Sequence, residues 1–167
     1  YFVVAHFHIV MGVSPILVVF GAIYHWWPKI TGKMYDEKHA IRAFYVVFVG
    51  FNMLWFPMFL AGAFGMPRRY FDYLPEFEIY HQISGVGSWV FALGLIYMFV
   101  TLAKGWISGE KAPANPWKAT TMEWQISSPP PLENFVTIPY WDYKPYDYIK
   151  GEPARQFDLS KKEETHD

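Results

Sequence analysis

Two histidines, His6 and His8, flank Phe7 in an otherwise apolar segment near the start of the sequence. An α-helix turns by about 100° per residue, so side chains two positions apart point to opposite faces, about 200° apart. Such a pair cannot easily hold one metal ion, which needs ligands three or four residues apart on one helix. Each imidazole can bind a different metal, and imidazole is a usual axial ligand of heme iron. The alternative is that each histidine is simply hydrogen-bonded within a helix bundle.

A pair of arginines, Arg68 and Arg69, follows the dipeptide Met66-Pro67. Guanidinium groups bind carboxylates through two parallel hydrogen bonds, and heme carries two propionate carboxylates on one edge. The alternative partners are lipid phosphates or the neighbouring carboxylates, which are Asp72, Glu76 and Glu78. The histidines favour the first interpretation, in which the arginines bind heme propionates.

Three stretches without Asp, Glu, Lys or Arg must position these groups, namely residues 1–27, 43–66 and 79–103. About 20 apolar residues in an α-helix suffice to span the hydrocarbon core of a bilayer. The chain of 167 residues is 53% hydrophobic, 21% aromatic and only 17% charged, which disfavours a disordered protein and an ordinary soluble domain. The rest of the chain is also too short to cover three buried helices. We therefore predict an all-α, multi-pass membrane helix bundle with three transmembrane helices.

Basic residues near the helix ends predict the orientation, because cytoplasmic loops are enriched in them. Seven basic residues lie in the first loop or after the third helix, whereas the second loop has two. The seven are Lys29, Lys33, Lys38, Arg42, Lys104, Lys111 and Lys118. The second loop with its arginine pair is then on the outer side, toward which both histidines also lie. We predict two parts: residues 1–103, a transmembrane heme-binding part, and residues 104–167, a cytoplasmic tail rich in proline and aromatic residues that extends along a neighbouring surface.

Several motifs of this sequence resemble the last three helices and tail of subunit I of the heme-copper terminal oxidases, most closely the A-type cytochrome c oxidases. His6-Phe7-His8 and Met66-Pro67-Arg68-Arg69-Tyr70, in this order and at this separation, are highly specific for that family. The tail adds Thr121-Met122-Glu123-Trp124, Ser127-Ser128-Pro129-Pro130-Pro131 and Asn134-Phe135. The resemblance extends over most of the chain, to about Pro139.

The resemblance implies a role for each candidate residue. His6 corresponds to the proximal ligand of the high-spin heme at the oxygen-reducing centre, and His8 to one axial ligand of the low-spin heme. Arg68 and Arg69 correspond to the residues that bind heme propionates. Phe7 resembles the residue often discussed as linking the two hemes in electron transfer. The implied cofactors are two hemes, of the heme A type, and copper in the complete site with its ligands outside this chain.

The resemblance also implies a function for the assembled protein. It would reduce dioxygen to water and pump protons as a cytochrome c oxidase complex, and this chain would not be active alone. Expected partners are the N-terminal remainder of subunit I, other oxidase subunits, cytochrome c or quinol as electron donor, and lipid, with no nucleic acid. We expect the bacterial plasma membrane or the mitochondrial inner membrane.

The sequence departs from the family pattern in ways that leave alternatives open. Ile9 stands where the family usually has tyrosine, and the family's copper-binding histidines, cross-linked tyrosine and second low-spin ligand have no counterpart here. We therefore expect a C-terminal portion of a subunit that is split, cleaved or interrupted. Two other hypotheses are a nitric oxide reductase-like or diheme electron-carrier fragment, and a structural membrane subunit without a cofactor.

Overall fold

The computed structural model describes residues 1–135, in which the three charge-free stretches form three long helices. The first helix is Phe2–Thr31, the second is Glu37–Ala63, and the third is Glu78–Ser108, preceded by a 3₁₀ turn at Pro75–Phe77. All three are long and apolar enough to cross a membrane. No strand occurs among these 135 residues. The predicted all-α membrane fold is confirmed, while residues 136–167 of the predicted tail, including Pro139, lie outside the described residues.

The helices extend several residues beyond the charge-free stretches that predicted them. The second helix begins at Glu37 because the carboxylate of Asp36 accepts a hydrogen bond from the backbone N–H of His39, at 3.0 Å, and so caps the first turn. The third helix continues through Lys104, so the predicted boundary after residue 103 falls inside it. Long basic side chains can reach interfacial water from within a helix end, and for this reason a charge does not mark where a membrane helix stops.

The first helix is not uniform along its length. It is α-helical at Phe2–Phe7, π-helical at His8–Val13 and α-helical again at Ser14–Thr31. The wider section ends just before Pro15, whose ring would crowd the carbonyl four residues earlier and which has no N–H to donate. The Ser14 hydroxyl donates to the Ile9 carbonyl at 2.7 Å, which stabilises the wider turn. Sections of this kind occur often at functional sites.

The second and third helices pack closely at glycines. The first structural unit consists of Tyr1–His25 and Tyr35–Gly109, and its apolar core includes Phe20, Ala43, Val47 and Met98. A methyl group at Gly87 would lie 2.5 Å from the Met53 carbonyl carbon and would also overlap the Leu54 backbone nitrogen, whereas ordinary contacts begin at 3.4 Å. Small residues allow this approach, and close packing is a main source of helix association in lipid.

Among the described residues, the second structural unit consists of Trp26–Met34 and residues 110–135. Its described part contains one 3₁₀ turn, Met122–Trp124. The ammonium group of Lys29 donates to the carbonyls of Ala114, Ile126 and Ser127 at 2.7, 2.6 and 3.4 Å, and it lies 5.5 Å from the centre of the Trp124 ring. One lysine thus fastens two separate parts of the proline-rich segment to the end of the first helix.

Candidate functional site

His8 is the first residue of the π-helical section, and one of its ring nitrogens is committed to the backbone. Its Nδ1 lies 2.7 Å from the carbonyl oxygen of Val4, one turn earlier. A carbonyl only accepts hydrogen bonds, so this contact assigns the proton to Nδ1. The other nitrogen, Nε2, then keeps its lone pair. Metal-binding histidines usually have one ring nitrogen hydrogen-bonded in this way, because that hydrogen bond fixes both the tautomer and the ring orientation.

The indole of Trp55, on the second helix, stacks on the His8 ring. The ring centres are 4.6 Å apart and the planes are inclined by 15°. Trp55 is partly buried, and its Nε1 is fully buried without a hydrogen-bond partner among residues 1–135. The sequence interpretation missed this residue. No local signal could have found it, because the two residues are distant in sequence and meet only through helix packing.

His6 and Phe7 lie in different surroundings from His8. The side chains of both are exposed, and the Phe7 and His8 rings are nearly perpendicular, at a centre-to-centre distance of 5.7 Å. His8 is directed toward the second helix, where Trp55 lies. The structure therefore keeps the two histidines on one helix without bringing them together. Among the described residues, no three His, Cys, Asp or Glu side chains form a group that could hold a metal ion.

The arginine pair lies in the loop between the second and third helices. The loop is anchored by Met66, which is buried against Ala61 and Phe77. Both arginine side chains are exposed, and Arg69 adopts a φ of 65°, a left-handed conformation that is uncommon for residues other than glycine. Such backbone strain persists where the surrounding structure holds it, often at ligand-binding sites.

The alternative carboxylate partners of the arginines contact other groups. Asp72 accepts a hydrogen bond from the backbone N–H of Tyr73 at 2.8 Å, and Glu78 accepts one from the Gln82 side chain at 2.9 Å. Asp72 and Glu76 also line an open groove of about 540 Å³ at this loop. No ion pair between the arginines and these acids occurs in residues 1–135.

The start of the first helix and the arginine loop lie at the same end of the first unit. Tyr1 packs against the cluster that contains Met66 and Phe77, and its ring meets the edge of the His81 ring at 5.5 Å. His81 also stacks on Tyr73, at 4.1 Å, and its Nε2 lies 3.2 Å from the sulfur of Met66. The two candidate groups are therefore near one end of the bundle, although no hydrogen bond or ion pair within residues 1–135 joins the histidine pair to the arginines.

Comparison with known proteins places this architecture in a family. The family model described as cytochrome c and quinol oxidase polypeptide I matches residues 1–90, which is more than half of the chain. The chain belongs to this family. The match includes the histidine pair, the arginine pair and the start of the third helix, so the resemblance inferred from the motifs is confirmed.

Members of the oxidase polypeptide I family from several bacteria are similar to this chain over most of its length. Cytochrome c oxidase subunit 1 of Thermostichus vulcanus is 40% identical over 148 residues, covering 89% of this chain and 27% of the relative. The corresponding subunit of Synechocystis gives the same figures. Alternative cytochrome c oxidase subunit 1 of Bradyrhizobium diazoefficiens is 42% identical over 137 residues, covering 78% of this chain and 23% of the relative. The chain thus spans about a quarter of the length of these relatives.

Heme and copper are the cofactors that the family implies, and the described residues suit a heme. His8 offers an Nε2 lone pair because its Nδ1 is bonded to Val4, and Trp55 contributes a buried N–H that still needs an acceptor. The exposed guanidinium groups of Arg68 and Arg69 match the carboxylates that heme carries. Nothing in residues 1–135 resembles a copper-binding set of histidines.

Proposed function

We propose that this chain supplies one axial ligand to each of two hemes in a respiratory oxidase, with His8 as ligand to the low-spin heme. The observation that carries the proposal is the 2.7 Å contact between His8 Nδ1 and the Val4 carbonyl. It fixes the proton on the nitrogen that faces the helix backbone and leaves Nε2 as the donor atom. The stacked indole of Trp55 further limits rotation of the imidazole.

His6 is proposed as the proximal ligand of the second, high-spin heme. Its exposed imidazole precedes His8 by two residues, and His8 faces the second helix, so the two side chains can serve centres on different sides of the first helix. Phe7 lies between them in sequence, and its ring packs perpendicular to the His8 ring. Through this arrangement one helix would position both iron centres, with an axial offset of about 3 Å between the ligands.

Arg68 and Arg69 are proposed to bind heme propionates. Their exposed side chains, the anchored loop and the left-handed backbone of Arg69 support this role. A guanidinium group pairs with a carboxylate through two charge-assisted hydrogen bonds, which orient the bound group as well as hold it. The pair would therefore set the position of the heme edge at the end of the bundle where the loop lies.

The complete enzyme is proposed to reduce dioxygen to water, to pump protons and to take electrons from cytochrome c or quinol. When bound, the hemes and copper supply the electron-transfer and oxygen chemistry. The copper ligands and the remaining heme ligands would come from the rest of subunit I, in a plasma or mitochondrial inner membrane, with the tail on the cytoplasmic or matrix side. Membership of the oxidase polypeptide I family supports this assignment.

The proposal is tested by His6→Ala in the assembled, purified membrane complex. Total heme is measured as the pyridine hemochrome, high-spin heme by magnetic circular dichroism of the intact complex, and oxygen uptake with an electrode. We expect loss of high-spin heme together with oxygen uptake. His25→Ala, near the other end of the same helix, is the matched control and should retain both. If His6→Ala keeps the high-spin heme and the oxygen uptake, the assignment of this residue is wrong.

A further inference from the structure

We propose that Trp55 is a positioning residue that holds the plane of the His8 imidazole for the low-spin heme. This inference rests on the proposed ligand role of His8 and adds a residue from another helix to it. Two contacts carry it: the parallel stacking of the two rings, at 4.6 Å and 15°, and the 2.7 Å hydrogen bond from His8 Nδ1 to Val4.

The two contacts restrict different motions of the imidazole. The hydrogen bond fixes the direction of one ring nitrogen, but the ring can still tilt about the line that joins Nδ1 to the Val4 oxygen. A flat aromatic surface lying parallel to the ring removes that tilt, since tilting would separate the stacked faces. Only both together define the direction in which Nε2 points.

Trp55 is itself held by its position in the second helix. The two residues before it, Met53 and Leu54, pack against the backbone at Gly87 of the third helix, and Pro57 shortly after it is buried. A side chain that orients a ligand must be on a rigid element, because loose support shifts the ligand away from its productive geometry. Close contact with the third helix gives the Trp55 backbone that rigidity.

The indole N–H gives independent evidence that another group completes this site. Trp55 Nε1 is fully buried and has no hydrogen-bond partner among residues 1–135. Buried donors are almost always paired in folded proteins, so an acceptor from outside these residues belongs beside the indole. The unpaired donor therefore lies next to His8, whose Nε2 is free to bind a metal.

Substitutions of Trp55 separate stacking from the N–H group. Trp55→Phe keeps a flat ring and removes the N–H, whereas Trp55→Leu removes both. The matched control is Phe56→Leu, the neighbouring residue on the same helix, whose ring is 60% exposed. If Trp55→Leu does not assemble, Trp55→Met provides a flexible, non-planar side chain for the same comparison.

The readout is the electron paramagnetic resonance spectrum of the oxidised low-spin heme in the purified complex, recorded at equal heme content. The g values of such a heme depend on the orientation of its axial imidazole planes, and a general loss of stability does not change them. We expect Trp55→Leu to shift the g values and to weaken heme retention by about 10- to 100-fold, the usual effect of removing a group that orients a metal ligand. Trp55→Phe and Phe56→Leu should keep the wild-type g values.

Unchanged g values in Trp55→Leu, or equal shifts in Trp55→Phe and Trp55→Leu, would overturn the proposal. His8→Ala separates this failure from failure of the ligand assignment. A low-spin signal that persists in His8→Ala shows that His8 is not the ligand. Loss of the signal in His8→Ala, with unchanged g values in Trp55→Leu, removes only the positioning role.

Discussion

Replacement of Gly87 by alanine should separate the second and third helices and weaken the bundle. The added methyl group would lie 2.5 Å from the Met53 carbonyl carbon, whereas ordinary contact begins at 3.4 Å. The backbones must then move apart by about 1 Å, the shortfall at the closest contact, which is with the Leu54 backbone nitrogen. The two closest atoms, the Met53 carbonyl carbon and the Leu54 nitrogen, both belong to the backbone, so a change of rotamer cannot relieve the strain. Overpacking of this kind costs about 1 to 3 kcal/mol.

Gly85→Ala, two residues earlier on the same helix, is the matched control. A methyl group there meets nothing within 4 Å. Both substitutions gain about 1 kcal/mol of helix propensity, so the difference between the two variants isolates the packing cost. Each 1.4 kcal/mol of this packing cost changes the equilibrium constant for unfolding tenfold.

The assay is thermal unfolding of the detergent-solubilised complex, followed by intrinsic fluorescence. We expect a lower melting temperature for Gly87→Ala than for Gly85→Ala, and Gly85→Ala should melt at or slightly above the wild-type temperature. Equal melting temperatures for the two alanine variants would show that the added methyl group at Gly87 is accommodated without cost, which would contradict the close approach of the two helices there.

Three further predictions concern the helix ends and the arginine loop. Hydrogen bonding to the His39 backbone N–H lowers the pKa of Asp36 below 3.8. The capping contribution of Asp36 is therefore present above that pH and is lost as the pH falls through the lowered pKa. Asp36→Asn, which caps without ionising, should abolish this acid dependence of helix content, measured by circular dichroism. Lys29→Met should make the segment after residue 110 more susceptible to limited proteolysis, because a hydrogen bond to a charged group contributes about 1.5 kcal/mol or more. The control Lys118→Met changes an exposed lysine, and this variant should be cleaved at the wild-type rate. Arg69→Gly should relieve about 1 kcal/mol of left-handed strain yet lose heme on detergent washing, and unchanged retention would remove the propionate role.

The three membrane helices could be predicted because the hydrophobic length of a segment is a local property of the sequence. Their ends were less predictable. Lys29 and Lys104 lie inside helices, although the charge-free stretches that predict these helices end before them. The start of the second helix depends on the cap at Asp36. Charge content identifies which residues prefer lipid, but hydrogen bonds at the termini decide where a helix stops.

The candidate ligands could be named from sequence because their spacing and residue types are specific. Their surroundings could not. Pro15 indicates a distortion in the first helix, yet the π-helical section also depends on the hydrogen bond between Ser14 and Ile9. The stacking of Trp55 on His8 depends on how the first two helices pack, which no motif records. The left-handed conformation of Arg69 likewise follows from the path of the loop.

His6 and His8 are proposed to bind two different hemes. Magnetic circular dichroism of the assembled complex distinguishes high-spin from low-spin heme and tests this claim most directly. His6→Ala should remove the high-spin signal and keep the low-spin signal, and His8→Ala should do the reverse. Loss of the same heme in both variants, or of neither, would show that the two histidines do not bind different hemes.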